Sequence, residues 1–255
     1  MQHEDERAVA RNIALAAGKV MLKYFDGDQQ VERKADNTPV TFADKLINNL
    51  VIEALSKSFP EDGIIGEERS TAEYGTGRKW FCDPIDGTKA YVWGVPTAMF
   101  SLGLVVDGTP VMGVVYDPFL KRIYEGVAGG GSFCNGNRLA VSKEKLSGST
   151  VAITSTAEKI RTAPYIKKLE EAGVRLASFS GGVYKSCLVA RGKCSGYLES
   201  QLNAHDMAAI EIIITEAGGK VSSMTGEILD YTRPFKGAIV SNGVVHEELI
   251  KIINF

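Results

Sequence analysis

The sequence predicts a mixed fold, α+β in its first half and α/β in its second, and three features carry that reading. Two amphipathic helical patterns open the chain. A set of apolar runs joined by tight turns follows, the pattern of an antiparallel meander. From about residue 146 onward short strands and helices alternate.

Each element has its own signal. From Asp5 to Phe25 the apolar residues Val9, Ile13, Ala16, Ala17, Val20 and Met21 recur at helical spacing, and the pattern stops at Asp26 and Gly27. Phe42 to Phe59 repeats it with Leu46, Leu50, Val51, Ala54 and Leu55, with Thr41 placed to cap the helix and Pro60 to end it. Ile64–Ile65 leads into Glu67, and Trp80 to Cys82 leads into Asp83, so two short strands end near acids. Ala98 to Val106, the Asp107-Gly108 turn and Val111 to Tyr116 predict a hairpin, with Ile123 to Val127 as a third antiparallel strand. Beyond Gly129 to Gly131, strands are expected at Val151–Thr154, Arg175–Ser178 and Gly196–Leu198, and helices at Ala163–Ala172 and Val183–Arg191. Asp206 to Ala217 is a helix closed by Gly218 and Gly219; strands at Lys220–Ser222 and Ala238–Val240 and a helix from Val245 complete the chain. No long linker divides residues 1–145 from 146–255, so the two parts are expected to form one compact body.

Composition excludes several classes. With 255 residues, 44% of them hydrophobic, the chain can bury a sizeable core, and a net charge of −2 offers no basic footprint for nucleic acid. Cys82, Cys134, Cys187 and Cys194 form no CxxC pair, and the N-terminus carries no secretory pattern, so reduced thiols in the cytoplasm are expected. Charged or glycine residues interrupt every apolar run before the roughly 20 residues that span a bilayer.

The chemistry concentrates in Asp83-Pro84-Ile85-Asp86-Gly87-Thr88. Magnesium prefers hard oxygen ligands, and two carboxylates with an intervening carbonyl at a glycine turn make half of such a site. Alone, the pattern is an ordinary surface turn. Three further acids change the weighing: Glu67 in Gly66-Glu67-Glu68, Asp206 in His205-Asp206-Met207-Ala208-Ala209, and Asp44 after Thr41. Asp44 and Asp206 also fit the plain reading of helix-start acids.

Taken in order, the GEE, DPIDGT and HD-x-AA segments resemble the signatures of the inositol monophosphatase family, and flanking runs such as Gly113 to Tyr116 and Glu216 to Gly219 extend the likeness over nearly the whole chain. The resemblance implies a layered αβαβα sandwich, a homodimer, lithium sensitivity and two or three Mg2+ ions held by Glu67, Asp83, the Ile85 carbonyl, Asp86 and Asp206. It implies a catalytic set of Thr88, Asp44 and Glu67, in which Thr88 hydrogen-bonded to Asp44 orients the attacking water. Gly87 and Thr88 would hold the phosphate through their amides, with Glu199, Ser180, Gly181 and Gly182 contacting the rest of the substrate. His205 stands where the family usually has tryptophan, a packed residue being the plainer alternative to a ligand; Tyr91 and Trp93 are left open between pocket wall and core. The implied substrate is a small polyol phosphate, inositol monophosphate first. Histidinol phosphate is the runner-up, because Lys34-Ala35-Asp36-Asn37-Thr38-Pro39-Val40-Thr41 resembles a pattern of the histidinol-phosphate and nucleotide-bisphosphate branches; fructose bisphosphate and 3′-phosphoadenosine nucleotides follow. A regulatory binding protein on the same fold is the non-enzyme alternative, and the unbroken acid set argues against it.

Overall fold

The computed structural model describes residues 3–254, apart from the side chain of Lys159. Helix α1 (Glu4–Phe25) buries Ala10, Ile13, Ala14, Ala17 and Met21 along one stripe, as its apolar spacing requires. Strands β1 (Glu32–Arg33) and β2 (Pro39–Val40) pair as a small hairpin too short to leave a periodic signal in the sequence. Helix α2 (Phe42–Ser58) starts on Thr41, whose hydroxyl accepts from the Asp44 amide.

Next come β3 (Gly63–Gly66), β4 (Arg78–Asp86), the short helix α3 (Thr88–Val92), β5 (Met99–Val106), β6 (Thr109–Asp117), β7 (Arg122–Val127), β8 (Gly131–Cys134) and β9 (Asn137–Arg138). The seven strands β3 to β9 lie side by side in chain order. The predicted meander is therefore present and wider than expected, and its first pair, β3 with β4, is parallel while the rest are antiparallel.

The second half contains β10 (Thr150–Ile153), α4 (Ala157–Thr162), α5 (Pro164–Glu171), β11 (Arg175–Ser178), α6 (Gly182–Ala190), β12 (Gly196–Glu199), α7 (Ala204–Glu216), β13 (Lys220–Ser222), β14 (Ala238–Ser241) and α8 (His246–Asn254). Its five strands run in the order β11-β10-β12-β14-β13. β10 is parallel to β11 and β12, and β14 is antiparallel to β12 and β13, which makes the sheet mixed.

Five layers result. α1 and α2 pack on one face of the large sheet, α7 and α6 lie between the sheets, and α5 and α8 pack together beside the small sheet. Three apolar clusters fill the spaces: one between α1, α2 and the large sheet, one around α6 and α7, and one beneath α5 and α8.

Helix α7 sits unusually close to the large sheet. Gly103, Gly113 and Gly126 are register partners across β5, β6 and β7. A Cβ on Gly103 would lie 2.5 Å from the Ala209 nitrogen, one on Gly113 2.6 Å from the Ala209 oxygen, and one on Gly126 2.9 Å from the Ile213 Cα. The row of glycines is a groove into which the α7 backbone fits, and the fit fixes how far its first turn reaches. Gly113→Ala is expected to destabilise the protein by on the order of 1–3 kcal/mol, because the neighbour that must move is helix backbone. Urea unfolding measures this; a midpoint equal to that of the unsubstituted protein would show that α7 can shift without cost.

Candidate active site

The site begins where β4 ends. In a regular strand residues three apart point to opposite faces, so Asp83 and Asp86 should diverge. The ladder between β4 and β5 shifts register between these two residues, and the irregularity turns both acids to one side. The Ile85 amide donates to Asp83 Oδ1 at 3.0 Å, which fixes the bend from within.

Two helices from the second half complete the cluster. Gly182 and Val183, at the start of α6, donate their amides to the two Asp86 oxygens at 3.1 and 2.9 Å. Asp206 is the third residue of α7, and its Oδ2 accepts from the Asn203 amide at 2.6 Å. Asp83, Asp86 and Asp206 each offer one oxygen, and these oxygens lie within 4.8 Å of one another in a buried position. The plain cap reading of Asp206 holds, and the cap does not remove the acid from the cluster: one oxygen caps the helix while the residue stands with Asp83 and Asp86.

Asp44 repeats the device at the start of α2. Its Oδ2 accepts from the Thr41 amide at 2.7 Å and the Thr41 hydroxyl at 2.6 Å, while Oδ1 is buried without a hydrogen-bond partner. Glu67 follows β3 and is tied to β4 by its amide, which donates to the Cys82 carbonyl at 3.0 Å. Lys34, carried on the β1–β2 hairpin, reaches over to Glu67 at 2.7 Å and Glu68 at 2.6 Å.

The profile of the inositol monophosphatase family matches residues 2–255. The chain belongs to this family. A histidinol-phosphatase of Mycobacterium tuberculosis is 34% identical over 100% of the chain and 99% of its own length. Inositol monophosphatase 1 of Xenopus laevis is 32% identical over 87% of the chain and 83% of its own length. Among solved structures, an IMPase of Thermotoga maritima superposes with a TM-score of 0.89 at 28% identity, covering 98% of this chain and 97% of that one. The layered sandwich is accordingly the inositol monophosphatase fold, and the chain is a phosphoric monoester hydrolase of a metal-dependent family. No helix among the described residues is long and apolar enough to cross a membrane.

For this inositol monophosphatase-family chain, the remaining sequence-derived site residues divide. The loop expected to contact substrate lies beside the acidic turn: a Cβ on Gly87 (φ 83°) would lie 3.1 Å from the Gly181 Cα, so the two glycine backbones touch across the halves. Ser180 leads this loop, and Glu199 ends β12 in a half-buried position. The direct Thr88–Asp44 hydrogen bond implied by the resemblance is corrected, because the Thr88 hydroxyl donates instead to the Ile85 carbonyl at 3.0 Å, an acceptor in its own turn. His205 Nε2 stands 4.0 Å from Asp206 Oδ1. Tyr91 is core, its hydroxyl donating to the Met21 carbonyl at 2.6 Å, whereas Trp93 is 72% exposed and so is not core. The four cysteines are free, and all but Cys134 are fully buried.

Two lysines were not assigned roles from sequence. Lys34 lay in the quoted Lys34-Ala35-Asp36 pattern, whose hairpin geometry no periodicity reveals. Lys185 is buried on α6, donates to the Ile153 carbonyl at 2.9 Å and lies 4.4 Å above the Tyr197 ring. A lysine inside the mostly apolar run Val183 to Ala190 was its legible signal. Burial lowers its pKa to about 8, a shift that Glu199 and Asp86 oppose.

Convergence of the acids moves their titration. Burial pushes Asp83 well above its ordinary 3.8, and the charges of Glu67, Asp206 and Asp86 push the same way. Asp86 rises to about 7, through burial and then Asp206, with the Val183 and Gly182 amides pulling back. Asp44 also rises to about 7 by burial. Glu67 moves down: burial would raise it, but His205 and Lys34 outweigh burial. An acid whose pKa is raised by folding adds stability below its unfolded value and loses it as pH climbs through the folded value. For Asp44 and Asp86 that window runs from 3.8 to about 7. Chelator-treated protein is therefore expected to lose thermal stability across this window, Glu67 opposing the trend, and saturating Mg2+ to flatten the slope. Melting curves against pH test this; a midpoint that rises across the window in chelator contradicts it.

Proposed function

We propose that this chain hydrolyses the phosphomonoester of a small polyol, inositol monophosphate first, with Mg2+ as its cofactor. The observation that carries the reading is the trio of buried carboxylate oxygens within 4.8 Å, contributed by both halves of the chain. The residues fit the ion: hard oxygen donors, buried, each already oriented by a backbone amide. Asp83, Asp86 and Asp206 would hold two or three ions, with Glu67 and the Ile85 carbonyl. When bound, Mg2+ supplies positive charge for the phosphate oxygens and makes nearby water a better nucleophile.

The chain's own groups do the rest. Asp44 Oδ1, buried and unpartnered, is an acceptor suited to orient the attacking water and take its proton, with the Thr88 hydroxyl beside Ile85 and Glu67 at the same centre. Gly87, in a left-handed conformation, lets the backbone approach the phosphate closely, and the Gly87 and Thr88 amides hold it. Ser180, Gly181 and Gly182 close the far wall, and Glu199 accepts hydrogen bonds from substrate hydroxyls.

Histidinol phosphate is the second reading, favoured by the full-length similarity to a protein named histidinol-phosphatase. A twofold homodimer in the cytoplasm is the proposed setting; the prevalence of twofold assemblies and the free, mostly buried thiols support it. Phosphate release from inositol phosphate, histidinol phosphate, fructose bisphosphate and phosphoadenosine phosphate, measured side by side, ranks the substrates.

Asp206→Asn keeps an oxygen for the Asn203 amide and removes the charge, so the fold is expected to survive while turnover falls at least ~100-fold and Mg2+ affinity drops. Full turnover in excess chelator would defeat the metal reading. Glu199→Gln is expected to cost about tenfold in kcat/KM on a polyol phosphate, the loss of a charged acceptor, and little on a simple aryl phosphate. Equal losses on both substrates would assign Glu199 to structure.

A further inference from the structure

A cleft of about 750 Å3 opens between the first turns of α1 and the β7–β8 edge of the large sheet, and none of its walls belongs to the reaction centre. Arg7, Ala8 and Arg11 form one wall, Val127 and Phe133 the apolar floor, and the Gly129–Gly131 turn the end. Its size falls within the roughly 300–1,000 Å3 of small-molecule sites.

The charges in it are unevenly satisfied. Arg7 and Arg11 stand at i and i+4 on one helix face. Arg11 donates to Glu125 at 2.7 Å. Arg7 is half-buried and pairs with no acid among the described residues. The turn's own donors are also taken, because the Gly129 and Gly131 amides each bond a Glu216 oxygen at 2.7 Å. Glu4, exposed, also lines the cleft three residues before Arg7, so what the cleft presents is a partly desolvated guanidinium above an apolar floor with one acid at its rim. A planar guanidinium binds a carboxylate, sulfonate or phosphate through two parallel hydrogen bonds, and its partial burial strengthens the pairing.

We propose that this cleft binds a small organic anion, its flat apolar body against Val127 and Phe133 and its acidic group on Arg7. Ala8 is exposed on the helix wall, so a large side chain there fills the cleft without entering the core.

Calorimetric titration of the full-length chain with 1-naphthalenesulfonate, which a phosphatase cannot hydrolyse, tests the proposal. The expected result is one saturable site that Mg2+ and inorganic phosphate do not displace. Arg7→Glu should weaken it about tenfold or more and Ala8→Trp should abolish it, with hydrolysis and the melting midpoint unchanged. Arg7→Met, which keeps the stem, supplies the same reading if the charge reversal unfolds the protein. Absence of saturable binding, or binding that survives both substitutions, overturns the proposal. Displacement by phosphate would assign the anion to the reaction centre, and a dimer dissociated by Ala8→Trp would assign the cleft to a second copy; either result overturns it too.

Discussion

Mutual repulsion among Asp83, Asp86 and Asp206 is the force this structure is built to contain. Three carboxylates converging within 4.8 Å in a buried position raise one another's pKa and would drift apart if nothing held them. Each is held by main-chain hydrogen: Asp83 by the Ile85 amide, Asp86 by two amides at the start of α6, Asp206 by the Asn203 amide. The amides orient the oxygens and offset part of the negative charge, without supplying a countercharge that could replace a cation.

Holding the acids together demands that the two halves keep a fixed separation. Asp206 rides on α7, and α7 is seated on β5, β6 and β7 through the row Gly103, Gly113 and Gly126. The contact of Gly87 with Gly181 repeats the solution at the site itself, where main chain meets main chain with no side chain between. The large sheet ends at β9 and the small sheet begins at β10, and the carboxylate cluster draws on both sides of that change.

How much of this was legible follows from element length and from how many jobs a residue does. α1, α2 and α7 announce themselves because a buried stripe several turns long leaves a 3.6-residue period. β1, β2 and β9 are two residues each and leave none. The register shift between Asp83 and Asp86 has no signature in hydrophobicity, so the facing of these acids could be inferred from the family resemblance but not from strand alternation. Asp44 and Asp206 misled in a subtler way: reading them as caps or as site acids posed a choice that a carboxylate with two oxygens does not have to make. Thr88 shows the reverse, where the hydrogen bond implied by the resemblance is replaced by one to the Ile85 carbonyl of its own turn.

Charge balance explains why the two nearby lysines do not neutralise this centre. Around the centre stand six carboxyl groups, those of Asp44, Glu67, Glu68, Asp83, Asp86 and Asp206. Lys34 engages Glu67 and Glu68, and Lys185, anchored to the Ile153 carbonyl, is influenced by the charges of Glu199 and then Asp86. Even with the His205 ring beside Glu67 and Asp206, the acids outnumber the cationic groups among the described residues. Neither lysine hydrogen-bonds the trio itself, whose backbone partners are amides, and the cation nearest to it is the His205 ring at 4.0 Å from Asp206. Without a cation, burial and the neighbouring carboxylates raise Asp44 and Asp86 to about 7, which favours partial protonation. A divalent ion would meet the same need without a proton and at higher charge density, so the burial and mutual repulsion that raise these pKa values also favour a cation at this centre.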